Sequence, residues 1–183
     1  MRLGCAEQPW PFASDAARVW YGRDEGRSLY YDPPAPKGSR VIVLSGLPGA
    51  GKDTYCRRAF PDLPQVSLDV WRRRLGLSPD EPQGQVIQAA MEEARGHLRA
   101  ACPFVWNATN VSRLNRDKAV GLCLDYDAHV EIHAFDPAPS VLLAQNRDRN
   151  AAVPEAVIQR LLMKWEPPSP LEAHRVVWVG GAT

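Results

Sequence analysis

The chain has 183 residues, 45% hydrophobic and 23% charged, enough for one compact domain with a sizeable core and too few for two large ones. Twenty-two Lys and Arg stand against 21 Asp and Glu, a net charge of +1, so no global basic field marks a nucleic-acid coat or a membrane surface. Anionic ligands must therefore be held by local groups. Apolar runs such as Val41-Ile42-Val43-Leu44 fall far short of the ~20 residues of a membrane-spanning helix. The N-terminus also lacks the charged-then-apolar pattern of a signal peptide, so a soluble, cytoplasmic protein with no membrane partner is expected. The four cysteines, Cys5, Cys56, Cys102 and Cys123, are scattered with no Cys-x-x-Cys pair, and read as reduced structural thiols.

Residues 1–39 interleave aromatics with Arg (Trp10, Phe12, Trp20, Tyr21, Tyr30, Tyr31) and end in Asp32-Pro33-Pro34-Ala35-Pro36-Lys37-Gly38, a linker composition. The reading is an N-terminal extension over 1–39 and a folded domain over 40–183, with the aromatics packed against that domain. From Val41 onward short β-branched runs alternate with helical windows, the pattern of a parallel sheet with crossover helices. Strands are expected at Arg40–Ser45, Gln65–Leu68, Phe104–Asn107 and His129–Phe135, with a fifth at Arg175–Val179. Helical windows lie at 52–60, 84–101, 112–125, 137–146 and 154–164; in the second of these Val86, Ile87, Ala90, Met91, Ala94 and Leu98 form one apolar face. The fold class is α/β, a central parallel sheet of four to five strands flanked by helices.

The first strand runs into Gly46-Leu47-Pro48-Gly49-Ala50-Gly51-Lys52-Asp53-Thr54 and then a helix-compatible stretch, which fits G-x-x-x-x-G-K in its strand–loop–helix context. Glycines let backbone N–H groups converge on phosphate oxygens, the helix N-terminus adds a favourable dipole, and Lys52 reaches the β/γ oxygens. Asp53 stands where Ser or Thr usually offers a hydroxyl to Mg²⁺, while Thr54 keeps the next position. A carboxylate suits a hard cation, directly or through a water; the other reading of Asp53 is a helix cap without a metal.

In Val66-Ser67-Leu68-Asp69-Val70-Trp71-Arg72-Arg73-Arg74, Asp69 falls at the carboxyl end of the second strand, beside the crevice where parallel sheets bind ligands. Asp69 and Arg72 are three apart, on one side of the helix that starts there. Phosphoryl transfer needs such a pair: a carboxylate to accept the acceptor hydroxyl's proton and a guanidinium to hold a phosphate. The plainer reading makes Asp69 a cap and Arg72 to Arg74 a solvated face.

The third strand ends in Asn107-Ala108-Thr109-Asn110, with Asn107 where many phosphate-loop proteins place an Asp that holds the metal's water shell. Thr109, Asn110, Arg113 and Arg116 either line the acceptor groove or cap and solvate the next helix. Further on, Gln145-Asn146-Arg147-Asp148-Arg149-Asn150-Ala151-Ala152-Val153-Pro154 joins two helical windows and presents Arg147 and Arg149 on a polar turn. Arginines on such a lid neutralise charge developing on a triphosphate; the plainer reading is a charged surface loop.

Together, Gly46-Leu47-Pro48-Gly49-Ala50-Gly51-Lys52-Asp53-Thr54, Ser67-Leu68-Asp69-x-x-Arg72, Asn107-Ala108-Thr109-Asn110 and Asn146-Arg147-x-Arg149…Val153-Pro154 resemble the polynucleotide 5′-kinases over about residues 40 to 179. The resemblance is above all to the kinase module of bacterial RNA-repair proteins. In some of those the kinase follows an HD-type phosphohydrolase, and an aromatic stretch resembling Pro11 to Arg18 precedes the phosphate loop; this chain has no HD signature. The resemblance implies a P-loop kinase fold with an arginine-bearing helical lid, ATP or another NTP as donor, Mg²⁺, and 5′-OH single-stranded RNA or DNA ends as acceptor, with other repair domains or a ligase as partners. Residue by residue it implies that Lys52 binds the ATP phosphates, Asp69 activates the 5′-hydroxyl, Arg72 contacts the adjacent acceptor phosphate, and Arg147 and Arg149 act from the lid. The spacing Arg147-Asp148-Arg149 is tighter than in the bacteriophage polynucleotide kinase, to which those modules are similar. Two other readings stand beside this one: a small-molecule kinase of the same architecture, for which Arg72 would find no acceptor phosphate, and a nucleotide-binding module without transfer, to which Asp53 and Asn107 would belong.

Overall fold

The computed structural model describes residues 11–23, 28–78, 81–148 and 152–180. Its strands are β1 (Arg40–Gly46), β2 (Gln65–Ser67), β3 (Phe104–Asn107), β4 (His129–Phe135) and β5 (Arg175–Val179); its helices are α1 (Asp15–Arg23), α2 (Lys52–Ala59), α3 (Leu68–Leu75), α4 (Gly84–Arg99), α5 (Arg113–Leu124), α6 (Pro139–Arg147) and α7 (Glu155–Leu162). The five strands form one parallel sheet in the order β2-β3-β1-β4-β5. β1 carries the uninterrupted apolar run Val41–Leu44 because both of its faces are covered. Val41 and Val43 enter one core with residues of α1, α4 and α5 (Val19, Ala90, Ala94, Leu98, Ala119, Val120, Cys123), while Ile42 and Leu44 enter a second with Cys56 of α2, Leu142 of α6 and Ile158 of α7.

The order sets where ligands go. From β1 the chain crosses to β2 and β3 on one side and then to β4 and β5 on the other, so connections leave the sheet in opposite directions at β1 and open a crevice at its carboxyl end. The five expected strands appear at the expected places, β1 running one residue further and β2 ending one residue earlier because α3 begins at Leu68. The segment before residue 40 contributes more than a linker. α1 buries Ala16, Ala17 and Val19, and Arg18 donates to the carbonyls of Pro170 (3.0 Å) and His174 (2.7 Å), tying the helix to the approach of β5. Cys56, Cys102 and Cys123 are free thiols, and burial pushes Cys123 up to about 12; Cys5 lies outside the described residues. Among the described residues no helix is long and apolar enough to cross a membrane.

Candidate active site

The loop between β1 and α2 is shaped by two glycines, Gly49 (φ +85°) and Gly51 (φ +88°), in the left-handed region that costs a side-chain-bearing residue ~1–2 kcal/mol. Gly51 is also the N-cap of α2, which has no side-chain cap, so the helix presents its first N–H groups and its positive dipole end to the loop. The Lys52 ammonium donates to the carbonyls of Gly46 and Leu47, 2.7 Å each, arching back over the loop it follows. The loop's base is stitched to the end of β3: the Gly46 N–H donates to the Thr109 carbonyl at 2.8 Å, Ser45 Oγ to the Asn110 carbonyl at 2.8 Å, and Asn110 Nδ2 to the Leu44 carbonyl at 2.8 Å. Behind it, burial above all pushes the Cys56 thiol up to about 11, which makes it a packing group rather than a nucleophile.

On the β2 side, Ser67 caps α3 by accepting from the Val70 N–H. That cap leaves the Asp69 carboxylate to the cleft, where its side chain is 74% exposed and ion-paired with Arg72. Arg72 also donates through Nε to Gln83 Oε1 at 2.6 Å, and Gln83 Nε2 in turn donates to the carbonyls of Ser78 (2.9 Å) and Glu81 (2.6 Å). The guanidinium is thus aimed from two sides. Between this pair and the loop, Asn107 Nδ2 donates to Asp53 Oδ1 at 2.9 Å. Among the described residues no three His, Cys, Asp or Glu side chains gather as a metal cluster. Asp53, an exposed hard-oxygen donor at the loop and braced by Asn107, fits a divalent cation whose other ligands are phosphate oxygens and water.

These groups share an open cleft of ≈ 1940 Å³, larger than the ~300–1,000 Å³ of a single-ligand pocket and so roomy enough for donor and acceptor together. It brings together Pro48, Gly49, Ala50, Gly51, Lys52, Asp53, Thr54, Asp69, Arg72, Asn107 and Thr109 from the sequence-predicted set. Gly46 sits buried at the end of β1, below the cleft. Asn110, with φ +44° and its amide turned to Leu44, is a latch for the loop's base rather than a cleft-wall residue. Arg113 is not brought in either: its Nη2 donates to the Gly22 carbonyl and its Nε lies 3.9 Å from Asp117, on the side of α5 facing α1. Arg116 is wholly buried, donating through Nε and Nη2 to Glu172 at 2.6 and 3.1 Å and through Nη1 to the Glu166 carbonyl at 2.8 Å. Arg147 ends α6 exposed and outside the cleft lining, and Arg149 lies outside the described residues.

The lid's stem is held by Asn146, whose amide donates to the Val153 carbonyl (2.8 Å) and accepts from the Val153 N–H (3.0 Å). On α7, Val157, Arg160 and Leu161 line the cleft. Sequence reasoning missed Arg160 and Gln83; the signal for Arg160 was the 157, 160, 161 spacing of one helical face directly after the lid.

A parallel sheet opening on a glycine loop and helix N-terminus defines a P-loop, kinase-like α/β fold. The chain belongs to the AAA domain family AAA_33, whose model matches residues 41–168. No curated protein matches its sequence. Among solved structures, a chain of the Pnkp1/Rnl/Hen1 RNA repair complex is similar with a TM-score of 0.64 and 18% identity over 73% of this chain. This chain spans 45% of that one's length. A sugar kinase from Janibacter sp. HTCC2649 is similar with TM-score 0.58 and 18% identity, over 79% of this chain and 87% of that one. The Mycobacterium tuberculosis APS kinase CysC, in complex with AMPPNP and APS, is similar with TM-score 0.56 and 11% identity, over 81% and 92%. At such identities the likeness is one of fold.

Proposed function

We propose that the protein transfers the γ-phosphoryl group of ATP, or of another nucleoside triphosphate, to the 5′-hydroxyl end of single-stranded RNA or DNA, healing ends before ligation. One observation carries the reading: Asp69 and Arg72 stand in the same cleft as the phosphate loop, with Arg72 held by Gln83 as well as by Asp69. Asp69 accepts the proton as the 5′-oxygen attacks the γ-phosphorus and the bond to the ADP oxygen breaks. Arg72 holds the acceptor phosphate next to the reacting hydroxyl, a charge-assisted contact that most small acceptors have no group to receive. Backbone N–H groups of residues 49–54 and the Lys52 ammonium hold the donor phosphates, and Asn107 and Thr109 line the floor between donor and acceptor. Asp53 would hold Mg²⁺, directly or through a water, together with the donor phosphates, and the ion would neutralise charge on the triphosphate. Arg160 acts on the donor phosphates from α7, and Arg147, outside the cleft lining, and Arg149 are assigned to the same task from the lid.

The likeness to a chain of an RNA repair complex supports a polynucleotide acceptor and repair partners such as a ligase; the proposal keeps residues 40–183 as the kinase unit and the cytoplasm as its compartment. A second reading, a small-molecule hydroxyl as acceptor, draws on the sugar kinase, whose length this chain covers more fully. An acceptor panel separates them: γ-labelled ATP and Mg²⁺ with a 5′-OH oligoribonucleotide, a 5′-OH oligodeoxyribonucleotide, sugars and nucleosides. Labelled 5′ ends are expected; label in sugars or nucleosides alone would move the assignment to a small-molecule kinase.

A further inference from the structure

A strand covered on both faces is normally apolar throughout, because an unpaired polar group there costs several times what a hydrogen bond returns. β4 breaks that rule on the face toward α2 with Glu131 and His133, each 4% exposed. They belong to one chain of contacts. Arg40 Nε donates to Glu131 Oε1 at 2.6 Å, His133 Nε2 lies 3.2 Å from Glu131 Oε2, and the Tyr55 hydroxyl lies 2.7 Å from His133 Nδ1. Burial pushes Glu131 up, but the bonds from Arg40 and His133 outweigh it and bring the carboxyl to about 2. An ionised carboxylate only accepts, so Nε2 carries the proton. Burial, the largest influence, keeps His133 below the usual imidazole range and therefore neutral; Nδ1 then accepts and Tyr55 donates.

Tyr55 sits three residues after Lys52, in the first turn of α2, and its ring meets Phe135 (5.2 Å) and Phe60 (5.7 Å) edge-on. With Phe135 and Val179 it walls the cleft at the β4 and β5 end, opposite Asp69. We infer that Glu131 and His133 are positioning residues for nucleotide binding: through the Tyr55 hydroxyl they lock both this wall and the first turn of the phosphate-binding helix in one arrangement. The inference rests on the reading that the cleft takes a nucleoside triphosphate, not on which acceptor it serves. The groups facing His133 are Glu131 of β4, Tyr55 of α2, Arg40 of β1 and Arg175 of β5. Protonation of His133 would make both ring nitrogens donors, and the Tyr55 hydroxyl would then turn to accept from Nδ1.

The test is ADP binding by the full chain, measured by calorimetry with melting temperatures alongside. His133→Leu removes both bonds and is expected to raise the Kd about fivefold to tenfold, the worth of one buried hydrogen bond. His133→Gln keeps one donor and one acceptor and is expected to stay within about twofold of wild type. Should His133→Leu not fold, Tyr55→Phe keeps the ring, loses the lock, and is expected to match the loss. A Leu or Phe variant that binds ADP like wild type, or a Gln variant that loses as much affinity as the Leu variant, would overturn the inference. A wild type that binds no ADP, indistinguishable from Lys52→Ala, would instead overturn the nucleotide reading beneath it.

Discussion

The two ends of the cleft are built from different materials. The phosphate end is backbone: left-handed glycines at 49 and 51, an uncapped helix start and a lysine folded onto main-chain carbonyls. The end proposed for the acceptor is side chain: Asp69 and Arg72 of α3, with Gln83 at the start of α4. Backbone recognition is set by the fold and is shared wherever the fold occurs. Side-chain recognition changes with each substitution. That is why structures similar to this one include a chain of an RNA repair complex, a sugar kinase and an APS kinase, and why the substrate must be argued from residues rather than from shape.

The largest effect expected at the phosphate end is from Lys52→Ala, which should weaken nucleotide binding and lower transfer by about 10²–10³-fold whatever the acceptor, measured by ADP calorimetry and label transfer. Outside the cleft, Arg116→Met leaves Glu172 as an unpaired buried charge and should cost about 3–5 kcal/mol of stability, read as a fall in denaturation midpoint; replacing both partners with apolar residues should recover most of it. At the acceptor end, Arg72→Ala should lower kcat/KM for a 5′-OH oligonucleotide about 10–100-fold and leave ADP affinity unchanged. An equal loss on nucleosides lacking a phosphate would show that Arg72 does not read one.

A smaller effect concerns acid stability and lies away from both ends. His174 accepts from the Val130 N–H at 3.0 Å and stacks on His129, and burial, helped by that neighbour, lowers it to about 4 from an ordinary 6.5. The unfolded chain therefore binds the extra proton between those values, so stability rises with pH through this window and falls as pH drops from 6.5 toward 4, by at most about 3 kcal/mol. Glu131, depressed to about 2 from 4.5, adds a further loss below 4.5. Urea midpoints against pH should show the first decline in wild type and lose it in His174→Gln.

The sheet was legible because its strands are short, β-branched and bounded by turns, and the phosphate loop because its glycines and lysine lie consecutive in the chain. Asp69 and Arg72 were legible as a local pair three residues apart. What escaped depends on partners far along the chain. Arg116 reads as a groove or surface residue until Glu172, 56 residues later, is seen to bury it. Arg113 is turned aside by Gly22 of α1, a helix hidden in a segment whose composition reads as extension and linker. Glu131 and His133 read as ordinary strand residues, since their role depends on Tyr55, 78 residues from His133 in sequence.

The division between a fold-given donor end and a residue-given acceptor end is tested most directly by Asp69→Ala, assayed side by side for ADP affinity and for phosphoryl transfer to a 5′-OH oligonucleotide. The account predicts unchanged affinity with transfer lowered by about 10²–10⁴-fold, the worth of a positioned general base. Near-normal transfer, or a parallel loss of nucleotide binding, would contradict it.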